Sequence, residues 1–141
     1  MGRQSNVPFT ASPILRTLLL IGTGGFIGSI SRYLVSGYAQ QLGKSLQFPF
    51  GTLIVNLAGC VLVGFLAELA DQRGMVSGET RAFLIVGLLG GFTTFSAFGN
   101  ETMNLLRGGE PWLAFWNIIG HITLGLFAVW IGYSTASLLW K

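Results

Sequence analysis

From Ala82 to Asn100 the chain carries no charge, and inside that run lies Gly87-Leu88-Leu89-Gly90-Gly91-Phe92-Thr93-Thr94-Phe95-Ser96-Ala97-Phe98. Paired glycines, paired threonines and a Phe-x-x-Phe step make a poor lipid-facing helix. They suit a helix that breaks inside a membrane and sets polar backbone beside aromatic edges. Irregular backbone at membrane depth persists only where protein or a water-filled cavity covers it. Discontinuous helices near mid-depth are a recurring way to build an ion site. The segment therefore points to an ion-handling membrane protein.

Composition agrees. Charged residues make up 9% of the 141 residues and hydrophobic ones 51%, whereas soluble domains carry about a quarter charged residues. Too little charge remains to solvate a globular surface, so an all-α integral membrane domain is expected. The net charge of +3 forms no clustered basic face of the kind nucleic-acid binding requires. Cys60 stands alone and forms no internal disulfide. No nucleophile–base pair or metal cluster is apparent in the sequence, which argues against an enzyme.

Four segments are long enough to cross a bilayer, each needing about 20 mostly apolar residues. They run from about Ile14 to Tyr38, Gly51 to Ala67, Ala82 to Met103 and Pro111 to Trp140. Residues 1–12 read as a short mobile N-terminal tail and 13–141 as one four-helix transmembrane domain. The first span is too long for a signal-peptide core and is expected to be retained. An even number of spans puts both termini on one side, with Arg3, Arg16, Arg73, Arg81 and Lys141; Lys44, Arg107 and, at the interface, Arg32 fall on the other. That bias is weak, and it allows either cytoplasmic termini or insertion in both orientations.

Several polar residues lie within the spans. Arg32 is costly there, and reads either as an interfacial anchor or as part of an anion vestibule. Gly24 and Gly28 make a small-x-x-x-small step suited to close helix packing. Asn56 falls about two turns into the second span, where its amide either bonds another helix or donates to an anion. Phe92, Phe95 and Phe98 recur every three residues. They form a core stripe or turn positive ring edges toward a small anion, with Thr93, Thr94 and Ser96 adding hydroxyls. Asn117 and His121 share one face of the fourth span, and a neutral, hydrogen-bonded histidine is the favoured reading over a proton relay or metal ligand.

Taken together, Gly24-Gly25-x-x-Gly28-x-x-x-Arg32-Tyr33, Gly51-Thr52-Leu53-x-Val55-Asn56-x-x-Gly59 and Gly90-Gly91-x-Thr93-Thr94-Phe95-Ser96-x-Phe98-x-x-Glu101 resemble the CrcB/Fluc family of fluoride channels. The resemblance covers nearly the whole chain after the tail. It implies an antiparallel, dual-topology homodimer in the cell inner membrane, with the third helix broken at mid-membrane and two pores that pass fluoride passively. It implies a structural Na+ at the dimer centre, held by backbone carbonyls of Gly90 and Thr93 from both subunits. The resemblance implies Asn56, Phe95, Phe98 and Ser96 as pore residues and Glu101 as the third-helix acid; Thr94, Asn117 and His121 are expected to line the pore with them and Arg32 its vestibule, although Asn117 and His121 stand where the family often has hydroxyls. Ala97 departs from the pattern, which leads one to expect a hydroxyl there.

Two other functions compete. A small four-span proton-coupled multidrug exporter wants a carboxylate deep in a span, but Glu68, Glu101 and Glu110 lie near span ends. A non-transporting assembly subunit would explain the glycines but not the joint pattern of Asn56, Thr93-Thr94 and Phe95-x-x-Phe98.

Overall fold

The computed structural model describes residues 11–43, 47–72 and 74–140. All regular structure among them is helical. Helix α1 spans Ala11–Leu42 and α2 spans Phe50–Ala67. A wide turn with π-type hydrogen bonding, π1 (Glu68–Gln72), ends the second span. The third span is composite: α3 (Gly78–Arg81), the π-type stretch π2 (Ala82–Leu89), α4 (Gly90–Phe92) and α5 (Phe95–Arg107). The fourth is α6 (Pro111–Leu139). Four helical spans are thus long and apolar enough to cross a membrane.

The ends follow local chemistry. Pro49 and Pro111 stand where helices start, positions at which a missing N–H is harmless. Ser77 caps α3 by accepting from the Thr80 N–H at 3.2 Å. This cap starts the third span at Gly78, four residues before the expected Ala82. Helix α1 includes Ala11 and Ser12; the rest of the expected tail, residues 1–10, lies outside the described residues.

Small residues set the packing. Helix α1 runs beside π2 and α4, and α2 packs most extensively on α6. A Cβ on Gly28 would stand 2.1 Å from the Leu88 carbonyl oxygen, and one on Gly24 would stand 2.5 Å from that of Phe83. On the other seam, Gly64 and Gly132 would meet the Val129 and Val61 carbonyls at 2.2 and 2.1 Å. These helices therefore touch backbone to backbone, the close approach that small residues permit in membranes. The buried apolar positions are mostly alanines, including Ala39, Ala82, Ala114, Ala128 and Ala136. Large side chains such as Phe26, Tyr33, Leu126 and Trp130 are exposed on the outside, the inverse of a soluble core.

An ion pair joins Arg16 to Glu79 at 2.8 Å, tying the start of α1 to the start of the third span. Both partners are mostly exposed, so the pair contributes little to stability.

Candidate functional site

The centre of the site is where the third span leaves helical geometry. Thr93 (φ −84°, ψ 159°) and Thr94 (φ −154°, ψ 112°) are extended. In a continuous helix the Thr94 N–H would serve the carbonyl four residues back, that of Gly90. Here it donates to Asn56 Oδ1 at 2.8 Å, and Asn56 Nδ2 donates back to the Thr94 carbonyl at 3.1 Å. One carboxamide therefore satisfies both backbone groups of one residue, which removes most of the penalty for unpaired polar groups. Thr94 Oγ1 then accepts from the Ala97 N–H at 3.2 Å and caps α5, as a threonine N-cap does. Thr93 folds back, its N–H and its hydroxyl both donating to the Leu89 carbonyl at 2.9 and 3.0 Å.

Around this point lie two cavities. The first, of ≈ 430 Å³, is lined by Asn56, Thr93, Thr94, Phe95, Phe98 and His121, with Cys60, Ile85 and Leu89 among its walls. The rings of Phe95 and Phe98 are 5.4 Å apart and tilted by 54°. The Phe98 ring lies 4.4 Å from the His121 ring. Phe95 is 83% exposed, so a large aromatic surface stands uncovered at the mouth. The His121 Nδ1 is 2.9 Å from the Asn117 carbonyl oxygen. A carbonyl only accepts, so in the neutral ring Nδ1 carries the hydrogen and Nε2 presents a lone pair. That Nε2 is buried and lacks a partner among the described residues.

The second cavity, of ≈ 570 Å³, is lined by Arg32, Ser96, Glu101, Thr52 and Thr94, together with Tyr33, Asn100 and others. Thr94 borders both. Thr52 donates its hydroxyl to Glu101 Oε1 at 2.6 Å, while Glu101 Oε2 is buried without a partner among the described residues. Arg32 Nη1 donates to the Thr93 carbonyl at 3.5 Å. The guanidinium thus reaches the carbonyl of the extended step.

Of the residues singled out in the sequence, Asn56, Thr94, Phe95, Phe98 and His121 border the first cavity, and Ser96 and Arg32 the second. Asn117 borders neither. It is 0% exposed and donates to Thr102 Oγ1 at 2.9 Å. The Thr102 hydroxyl in turn donates to the Phe98 carbonyl at 2.8 Å, so Asn117 fastens α6 to α5. Gly90 and Thr93 stand three residues apart on the first cavity's border. Sequence reasoning passed over Thr102 and gave Thr52 no partner. Thr102 lies four residues after Phe98, one helical turn, and that spacing was the available signal.

The arrangement combines amide and hydroxyl groups, aromatic rings, the Arg32 guanidinium and the Glu101 carboxylate, with no metal-binding cluster of His, Cys, Asp or Glu among the described residues. Such surroundings suit a small anion held by many weak contacts. Comparison with known proteins narrows this. Residues 19–133 match the family model described as CrcB-like protein, Camphor Resistance (CrcB). A protein of Chlorobium phaeobacteroides named Fluoride-specific ion channel FluC is 45% identical over 86% of this chain and 93% of its own length. One of the same name from Methylobacillus flagellatus is 43% identical over 82% of this chain and 91% of its own. A third, Fluoride-specific ion channel FluC 1 of Methanosarcina acetivorans, is 42% identical over 85% and 90%. With four spans and matches that reach across them all, this chain is a multi-pass membrane protein that belongs to the CrcB family.

Proposed function

We propose that this protein is a fluoride-selective channel that lets a cell lose fluoride passively and so escape its toxicity. The observation that carries the reading is the Asn56–Thr94 pairing, which holds an extended backbone step open beside Phe95 and Phe98. A small anion entering this cavity meets donors and positive ring edges in place of water. No contact is a full charge, so the anion is held weakly enough to leave. Arg32 and the hydroxyls of Ser96 and Thr52 line the second cavity, which acts as the vestibule. An interior-negative potential drives an anion outward with about 2.3 kcal/mol per charge per 100 mV. No coupled pump is needed. The names of the relatives place them in a transporter class rather than an enzyme class, and family membership argues against the multidrug exporter.

The working unit in this reading is an antiparallel, dual-topology homodimer whose third helices are broken at mid-membrane. The exposed Phe95 and the aromatic outer face of α1 (Phe26, Tyr33, Tyr38) supply surface for the second copy or for lipid. Gly90 and Thr93 fit half of a Na+ site. Asn56 takes the N–H that would otherwise bond the Gly90 carbonyl, and the Thr93 carbonyl receives only the 3.5 Å contact from Arg32. Two neutral oxygens per chain are too few for a hard cation, so two copies would contribute four. When bound, the ion supplies positive charge that ties the two breaks together. Growth of fluoride-sensitive cells in fluoride medium, restored by this gene, tests the export function; no restoration by a correctly inserted protein sinks it.

A further inference from the structure

A third cavity, of ≈ 410 Å³, lies away from the ion path, along one face of α6 beside Glu68 of π1. Its origin is local. At Gly64 and Gly132, α2 and α6 are in backbone contact, and one turn later π1 widens the backbone from Glu68 onward. The gap that opens is lined by Glu68, Tyr133, Ser134 and Ser137, with Trp130 and aliphatic side chains as its wall.

Among the described residues, Glu68 is the one charged residue lining this cavity. It is 7% exposed, and its carboxylate makes no hydrogen bond or ion pair with any described residue. Unlike Glu101 Oε2, its oxygens are not sealed off. A buried carboxylate without a partner is costly unless a cation compensates it. Three hydroxyl-bearing residues, Tyr133, Ser134 and Ser137, line the same cavity, and hydroxyls accept as well as donate. The cavity is many times the ~30 Å³ share of a water molecule, so it is too large for a bare metal ion. An aromatic wall beside a carboxylate suits an organic ammonium. The location says where that ammonium comes from. Glu68 directly follows the last residue of α2, and Ser137 lies two residues before the end of α6, so the cavity opens at the headgroup level of the spans. Exposed Trp130 adds the kind of aromatic anchor found there.

We propose that this cavity binds the primary ammonium of a lipid headgroup, with Glu68 as its counter-ion and the hydroxyls of Tyr133, Ser134 and Ser137 as acceptors. A primary ammonium has three N–H donors to match these acceptors. A quaternary choline has none, and a glycerol headgroup offers no cation. The site therefore prefers phosphatidylethanolamine over phosphatidylcholine and phosphatidylglycerol of the same chain length.

Native mass spectrometry of the purified full chain, given an equal mixture of the three lipids, reads this preference. The wild type should retain phosphatidylethanolamine on the order of tenfold over phosphatidylcholine, the worth of a charge-assisted hydrogen bond. Glu68→Gln should abolish the preference while fluoride efflux stays unchanged, because Glu68 borders neither cavity of the ion path. If Glu68→Gln does not insert, Tyr133→Phe should lower the preference in its place. Dissolved ethanolamine should compete with the bound lipid. Equal retention of the three lipids by the wild type, or an unchanged preference in the variants, overturns the site. Binding of ethanolamine with no lipid preference overturns the lipid assignment in favour of a soluble amine.

Discussion

The carboxamide of Asn56 and the backbone of Thr94 form a closed pair of hydrogen bonds, 2.8 Å from the Thr94 N–H and 3.1 Å to its carbonyl. A side chain of α2 thereby replaces the helical partners that an extended residue loses. The same pairing diverts the Thr94 N–H from the Gly90 carbonyl and sets the extended step from which α5, with Phe95 and Phe98, begins. The extended step at Thr94 and the start of α5 therefore both depend on Asn56.

Asn56→Asp removes the donor to the Thr94 carbonyl and places a negative charge in the first cavity. Leaving a buried group unpaired costs about 1–3 kcal/mol. Fluoride flux should fall by at least roughly tenfold, the equivalent of 1.4 kcal/mol in a barrier. Flux through reconstituted variant, normalised to inserted protein, is the readout. Undiminished flux would mean that Asn56 does not face the permeating ion.

Phe98→Ile keeps an apolar side chain but removes the polarised ring edge and its 4.4 Å contact with His121. Volume-similar apolar exchanges usually cost less than about 1.5 kcal/mol of stability. The expected result is a folded protein with strongly reduced fluoride conduction. A folded variant that conducts normally would assign Phe98 to packing alone.

Much of this was legible in the sequence for identifiable reasons. Four long, mostly apolar runs marked the spans, because a bilayer demands them. The pairing of glycines and threonines marked an interruption near Gly90 to Thr93, and the backbone is extended at Thr93 and Thr94, just after the helical Gly90–Phe92. Asn56 was recognisable as a buried amide in want of partners, yet its partner lies 38 residues away on another span, and one-dimensional spacing does not encode that. Arg32 read equally well as an anchor, and only the structure shows its contact with the Thr93 carbonyl. Asn117 and His121 share a helix face, but the first is sealed against Thr102 while the second borders the cavity. A four-residue offset fixes a common face and says nothing about which neighbour fills it. The π-type stretch from Ala82 to Leu89 had no signal in an apolar run.

Gly28→Ala tests the packing. Its Cβ would stand 2.1 Å from the Leu88 carbonyl oxygen, whereas one on Gly22 meets nothing within 4 Å. Overpacking of this kind costs about 1–3 kcal/mol, so the Gly28 variant should melt clearly below wild type in detergent and the Gly22→Ala variant should not. Equal melting temperatures would show that α1 and π2 are not in backbone contact.

Removal of alkali ions tests the central cation. With N-methylglucamine as the replacement cation throughout purification and reconstitution, fluoride flux should be lost or the dimer weakened, and sodium alone should restore it. Flux and dimer mass that are unchanged under those conditions would remove Na+ from Gly90 and Thr93.

The central claim is that this chain by itself conducts fluoride. Liposomes that contain only this protein, loaded with potassium fluoride and made permeable to potassium with valinomycin, report it through an external fluoride electrode. The account predicts rapid fluoride efflux upon valinomycin addition and no comparable efflux from matched chloride-loaded liposomes. Absence of fluoride efflux from liposomes shown to hold folded protein, or equal release of chloride, would contradict it.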